Sequence, residues 1–91
     1  MQPTVAQQME QVVRTYIQGC NNADAKMIAE CFRPNAVHYF PPGRAKWLGA
    51  ITIGGNFAKV VQEHGFHWSV DLLLSDVVRY AATMEWTRIN R

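Results

Sequence analysis

Trp68-Ser69-Val70-Asp71-Leu72-Leu73-Leu74-Ser75-Asp76 and, directly after it, Val77-Val78-Arg79-Tyr80-Ala81-Ala82-Thr83-Met84-Glu85-Trp86-Thr87 carry the most informative pattern in the chain. In the first run Trp68, Val70, Leu72 and Leu74 alternate with His67, Ser69, Asp71 and Ser75. In the second, Val78, Tyr80, Ala82, Met84 and Trp86 alternate with Arg79, Ala81, Thr83, Glu85 and Thr87. A period of two sends alternate side chains to opposite faces, which predicts two half-buried β-strands. Ser75-Asp76 is a turn signal between them, and a tight turn makes the strands antiparallel.

Upstream, apolar residues recur with the helical period instead. Val5, Met9, Val12, Val13, Tyr16, Ile17 and Cys20 form one stripe, so residues 4–19 are predicted helical. Thr4 and Gln7 have the spacing of a capping box, and Gly19 with Asn21-Asn22 supplies residues that tolerate a left-handed helix end. A shorter helix over about 24–32 can be capped by Asn22 or Asp24 and lines one side with Met27, Ile28, Cys31 and Phe32. Arg33-Pro34 stops it, because proline disfavours the α conformation in the preceding residue. Val37-His38-Tyr39-Phe40, bounded by Asn35 and Pro41-Pro42-Gly43, reads as a short strand. Residues 43–49 read as a loop holding Trp47. From Ala50 to His64 the helical period returns on Ile53, Phe57, Val60, Val61 and His64, closed by Gly65. Gly54-Gly55 inside it costs about 1 kcal/mol per glycine relative to alanine, so either the helix starts late or another backbone comes close there. The order α-α-β-α-β-β, with helices set against antiparallel strands, is that of an α+β domain spanning 1–91.

Composition narrows the classes of function. Of 91 residues, 48% are hydrophobic and 18% charged, which suits a folded domain and not a disordered one. Nine basic against seven acidic residues, scattered along the chain, do not build a patch for nucleic acid or an anionic membrane. No apolar run reaches the roughly 18–20 residues of a membrane span. Met1-Gln2-Pro3-Thr4 has no basic n-region leading to an apolar h-region, and the two cysteines lack metal-type spacing. Both observations give a cytoplasmic expectation with reduced thiols.

The stretches Val12-Val13-Arg14-Thr15-Tyr16, Asn21-Asn22-Ala23-Asp24, Cys31-Phe32-Arg33-Pro34-Asn35-Ala36-Val37 and Pro41-Pro42-Gly43 resemble the opening of SnoaL-like proteins. These stand with ketosteroid isomerases and limonene-epoxide hydrolases in the nuclear-transport-factor-two-like superfamily. The helix from Ala50 and the run Glu85-Trp86-Thr87-Arg88 continue the likeness over nearly the whole chain. The resemblance implies a cone: a curved antiparallel sheet wrapped around the long N-terminal helix, with a cavity opening between them.

Residue by residue, the resemblance implies a mixed inheritance. Tyr16 matches the isomerases' tyrosine late in the first helix, a phenol that stays protonated at neutral pH and can stabilise a developing oxyanion. Their aspartate base, directly before a proline, falls on Phe40, which cannot accept a proton; steroid isomerisation by that mechanism does not carry over. Arg88-Ile89-Asn90 is similar to the hydrolases' Arg-x-Asp with asparagine in place of the carboxylate, and their first-strand tyrosine and asparagine fall on His38 and Phe40. His38 shares Phe40's side of the strand, so in the family register both point into the cavity, where an imidazole can serve as acid or base near neutral pH.

Each candidate also has a purely structural reading. Tyr16 lies on an apolar stripe and suits a core position; His38 suits a satisfied, half-buried one. Asp71 and Glu85 face away from the more apolar sides of their strands and read as solvated. Trp47, Trp68 and Trp86, with Phe40 and Met84, can line an apolar pocket or simply pack. His64-Gly65-Phe66-His67 has a two-ligand spacing but straddles a helix end with no third ligand, so no metal is expected, and no cofactor motif is present. Cys20 and Cys31 face the helical core without a placed base.

Two functional expectations result. One is a small SnoaL-like enzyme acting on a hydrophobic cyclic, polyketide- or terpenoid-like molecule by isomerase-, cyclase- or epoxide hydrolase-type proton transfer, with His38 as acid–base group, Tyr16 as hydroxyl donor and Arg88 beside them. The other is a non-catalytic module of the same fold that binds a small ligand or associates. Relatives carry two further strands after the segment matching Val77–Asn90. A strand ending near Arg91 would then present unpaired backbone, and the chain is expected to form a homodimer or to belong to a longer protein.

Overall fold

A computed structural model describes residues 2–90; Met1 and Arg91, and with Arg91 the expected end of the last strand, lie outside the described residues. The elements run α1 (Val5–Asn21), α2 (Ala25–Glu30), β1 (Val37–His38), β2 (Trp47–Leu48), α3 (Ala50–His64), β3 (Phe66–Asp76) and β4 (Ala81–Asn90). The fold is α+β, with the strands in two two-stranded antiparallel sheets, β1–β2 and β3–β4.

Helix α1 begins as its sequence dictates. The Gln7 N–H donates to Thr4 Oγ1 at 3.1 Å and the Thr4 N–H donates to Gln7 Oε1 at 2.8 Å, closing the capping box. Its end differs from expectation. The helix runs through Gly19 to Asn21, and the left-handed residue that follows is Ala23, at φ 52°. Gly19 serves close approach instead: a Cβ there would stand 3.0–3.2 Å from Ile28 and Met27 of α2. Asp24 caps α2 by accepting from the Met27 N–H at 3.0 Å. That helix is shorter than the predicted 24–32, ending at Glu30.

The glycine pair of α3 resolves in favour of backbone approach. The helix starts at Ala50, and Gly54 lies directly against the α2 backbone at Ala25 and Ala29, whereas Gly55 faces open space. Cys20, Ile28 and Ile53, one from each helix, form the fully buried centre, and Tyr16, Phe32, Trp47, Phe57 and Trp68 pack around it.

Two strand expectations are corrected. The strand predicted over 37–40 pairs only at Val37–His38, and its partner lies inside the segment read as loop: Val37 pairs with Leu48 and His38 with Trp47. Pro41 and Pro42 have no N–H for a ladder. They enter a turn closed by the Arg44 N–H donating to the Pro41 carbonyl at 3.3 Å, with Pro42 and then Gly43 at φ 94° in the central positions, as a type II turn requires. In the long hairpin the strand continues through Ser75 and Asp76, and the turn occupies 77–80. Asp76 Oδ1 accepts from the N–H groups of Val78 and Arg79 at 3.1 and 3.2 Å.

The strict alternation read for β3 also breaks. Val70 pairs with Trp86 but Leu72 with Glu85, so Asp71 is an extra residue in a β-bulge. The extra residue exchanges the two faces. Before it Trp68 and Val70 face the helices; after it Leu73 does, opposite Met84, while Leu72 and Leu74 are 43% and 57% exposed. Asp71 faces solvent and accepts a 2.6 Å hydrogen bond from the Thr87 hydroxyl.

Candidate functional site

Five segments of the chain converge on one cavity. The α1 stripe supplies Val12, Val13, Tyr16, Ile17 and Cys20; the start of the chain after α2 supplies Cys31 and Phe32. The β1 region adds His38, Phe40 and Pro41, α3 adds Phe57, and the hairpin adds Trp68, Met84, Trp86 and Arg88. The cavity opens to solvent on one side and has a volume of about 680 Å³, within the roughly 300–1,000 Å³ usual for small-molecule sites. A second hollow of about 710 Å³ lies among the long exposed side chains at the start of α1, including Gln7, Gln11 and Arg14. It is formed on the outside of one helix and not between elements, so the site chemistry belongs to the inner cavity.

The sequence candidates fall in one place. Tyr16, His38 and Arg88 all line the cavity, as do Phe40, Trp68, Met84 and Trp86. Trp47 does not; it stands behind the wall, with its ring centroid 4.7 Å from Phe40, 4.9 Å from Phe57 and 5.6 Å from His38. The pairing of His38 with Trp47 across β1–β2 accounts for the contact between their rings, because directly opposed residues share a face of the ladder. Phe57 is a cavity residue that function-directed reading passed over, and Cys20 and Cys31, read as facing the helical core without a placed base, line the cavity as well. Their signal was present in the helical stripes, which alone cannot separate a cavity wall from a packed core.

Phe57 organises the aromatic wall. Its ring lies edge-to-face with Tyr16 at 5.9 Å, His38 at 5.0 Å and Trp68 at 6.4 Å, and Tyr16 also meets Phe32 at 5.4 Å. Edge-to-face contact of this kind adds about 0.5–1.5 kcal/mol per pair beyond burial and fixes ring orientation. Trp68 is held by its backbone. Its N–H donates to Asn21 Oδ1 at 2.7 Å and its carbonyl accepts from Asn21 Nδ2 at 2.9 Å. Asn21, the last residue of α1, thus takes the place of a neighbouring strand on the free side of β3.

Burial keeps four of the cavity's side chains, Tyr16, Cys20, Cys31 and His38, neutral. Burial pushes the Tyr16 phenol well above its ordinary range, an effect reinforced by the adjacent Cys20. Burial likewise pushes the Cys20 thiol up to about 12, although the Tyr16 hydroxyl beside it works in the opposite sense. Cys31 is raised by burial and by Glu30. Burial lowers the His38 imidazole, and its Nδ1 is buried without a hydrogen-bond partner. At neutral pH the cavity wall therefore holds a neutral phenol, two thiols and a neutral imidazole. Among the described residues, no group of three or more His, Cys, Asp or Glu side chains is arranged to hold a metal, and His64 stacks on Phe66 at 5.1 Å. Among the described residues, no helix is long and apolar enough to cross a membrane.

The α+β arrangement of three helices and two antiparallel two-stranded sheets has a structural neighbour of cystatin-like fold. The chain is similar to a crystallised protein of unknown function with cystatin-like fold from Methylobium petroleophilum PM1: 41% identity over 88% of this chain, with a TM-score of 0.84. It spans 54% of that protein, about half its length. No family model matches the sequence, and neither does any curated protein.

Proposed function

We propose that this is a SnoaL-like protein of the nuclear-transport-factor-two-like superfamily whose cavity takes a small hydrophobic, cyclic molecule. The observation that carries this reading is the cavity itself: about 680 Å³, walled by Phe32, Phe40, Phe57, Trp68 and Trp86, with few polar groups converging on it. The cone implied by the sequence resemblance is part of the same proposal. A ligand selective for the folded state raises the melting temperature. Neutral bicyclic probes such as 2-naphthamide should therefore stabilise the natural chain and lose their effect on a Val13→Trp variant, whose indole fills the space. Absence of any stabilisation by such probes would sink the binding reading.

The place of His38 on the cavity wall, with burial lowering its pKa, favours a second, catalytic reading of the same cavity. A neutral imidazole can take a proton from a bound molecule while the Tyr16 phenol donates a hydrogen bond to the oxygen that gains charge. Turnover of an identified substrate should then fall about 100-fold or more in His38→Gln; unchanged turnover leaves the cavity a binding site alone.

The partner we assign to the hairpin is a second copy of the chain. β4 is exposed along almost its entire length, and Leu72 and Leu74 lie bare on the outer face. A two-stranded hairpin is marginal in water and gains from further pairing. Sedimentation at micromolar concentration should show a dimer; a folded monomer throughout would refute it.

A further inference from the structure

Arg88 differs from everything else on the cavity wall. It is exposed, so it stands at the mouth, and it faces inward because it pairs directly with Trp68 across the hairpin. The backbone groups of Trp68 turn away from β4 toward Asn21. Trp68 and Arg88 therefore form a non-hydrogen-bonded pair, the kind in which opposed side chains come closest. The guanidinium carbon lies 4.1 Å from the centre of the Phe66 ring, a flat support that leaves the N–H edges free. The ion pairs among the described residues join Lys26 to Glu30, Lys59 to Glu63 and Arg79 to Asp76; none involves Arg88. With the phenol, thiols and imidazole neutral, Arg88 is, among the described residues, the one charged side chain lining the cavity.

We infer that the cavity's ligand carries an anionic head, a carboxylate, that pairs with the Arg88 guanidinium at the mouth while its apolar rings lie against Trp68, Trp86 and Phe57. This rests on reading the cavity as a binding site. An arginine fork matches a carboxylate in two parallel N–H···O bonds, and the aromatic surroundings raise the strength of the pair above that of two fully solvated ions. A cationic ligand of the same shape meets repulsion without a compensating carboxylate on the wall.

The test compares 2-naphthoate, 2-naphthamide and 2-naphthylmethylamine by tryptophan fluorescence and calorimetry on the full chain. The carboxylate should bind at least about fivefold more tightly than the amide, with the amine weakest, and high salt should shrink the difference. Arg88→Gln should bring the carboxylate-to-amide ratio to near one, and Arg88→Lys should keep part of it. The ratio guards against misfolding, because a loosened cavity weakens both probes together. Amide binding with no carboxylate preference, or a preference that survives in Arg88→Gln, overturns the anionic head and leaves the cavity reading standing. Failure of both naphthoate and naphthamide to bind overturns the two together.

Discussion

Gly54 of α3 lies so close to Ala25 of α2 that a methyl group on Gly54 would collide with the Ala25 carbonyl oxygen. The Ala29 backbone nitrogen and Cβ stand only 3.1 and 3.2 Å from the same point. Backbone cannot step aside as a side chain can, so the contact fixes how near the two helices sit. Their closeness brings Ile28 and Ile53 into the buried centre behind the cavity wall.

The adjacent glycines should therefore respond in opposite directions. Gly55→Ala meets open space and should gain roughly 0.5–1 kcal/mol from helix propensity. Gly54→Ala receives the same propensity gain but must separate α2 from α3, and should lose about 1–3 kcal/mol net. Urea unfolding of the two variants checks this; equal effects would refute the close-approach account.

Removal of the Asn21 amide should cost more than its partly exposed setting suggests. Asn21→Ala leaves both the N–H and the carbonyl of Trp68 without partners in a part-buried position, at about 1–3 kcal/mol. Hydrogen exchange at the Trp68 amide should accelerate in the variant, which separates a lost tether from general destabilisation.

Acid should weaken the fold through His38. Its folded-state pKa lies below the ordinary value of 6.5, so between the two the unfolded chain binds more protons than the folded one. Stability is thus fully present above about pH 6.5, falls as the pH drops through that value, and loses nothing further from this group below the folded pKa. Melting temperatures measured across this range should fall less steeply for His38→Phe than for the natural chain.

The thiol of Cys20 should be nearly inert. With its pKa pushed up to about 12 and its side chain buried, the thiolate is scarce at neutral pH. Iodoacetamide should modify Cys31 first, and Cys20 only as the protein opens; rapid modification of Cys20 in the folded chain would contradict the placement.

Much of the local architecture was legible in the sequence because its causes are local. The Thr4–Gln7 capping box, the helical stripe from Val5 to Cys20, and the helix from Ala50 closed by Gly65 all follow from residues within a few positions of one another. The glycine pair was legible only as a question. That Gly54 faces Ala25 while Gly55 faces solvent depends on where α2 lies, which no window of α3 contains. The β1–β2 pairing was missed for a similar reason: Val37-His38 and Trp47-Leu48 are two residues each, too short to show a period.

By itself the sequence determined the α+β class, the three helices, the antiparallel hairpin, and Tyr16, His38 and Arg88 as the residues worth following. Short-range hydrogen bonding and hydrophobic period encode the first three, and a resemblance to known proteins supplied the last. Only the tertiary structure decided which face of the hairpin after Asp71 turns toward the helices, since one bulged residue exchanges Leu72 and Leu74 for Leu73. It also decided that Trp47 stands behind the cavity wall while Phe57 forms part of it, and that Arg88 lines the mouth without an ion-pair partner among the described residues. These are relations between segments far apart in the chain, set by packing that only the assembled fold brings about.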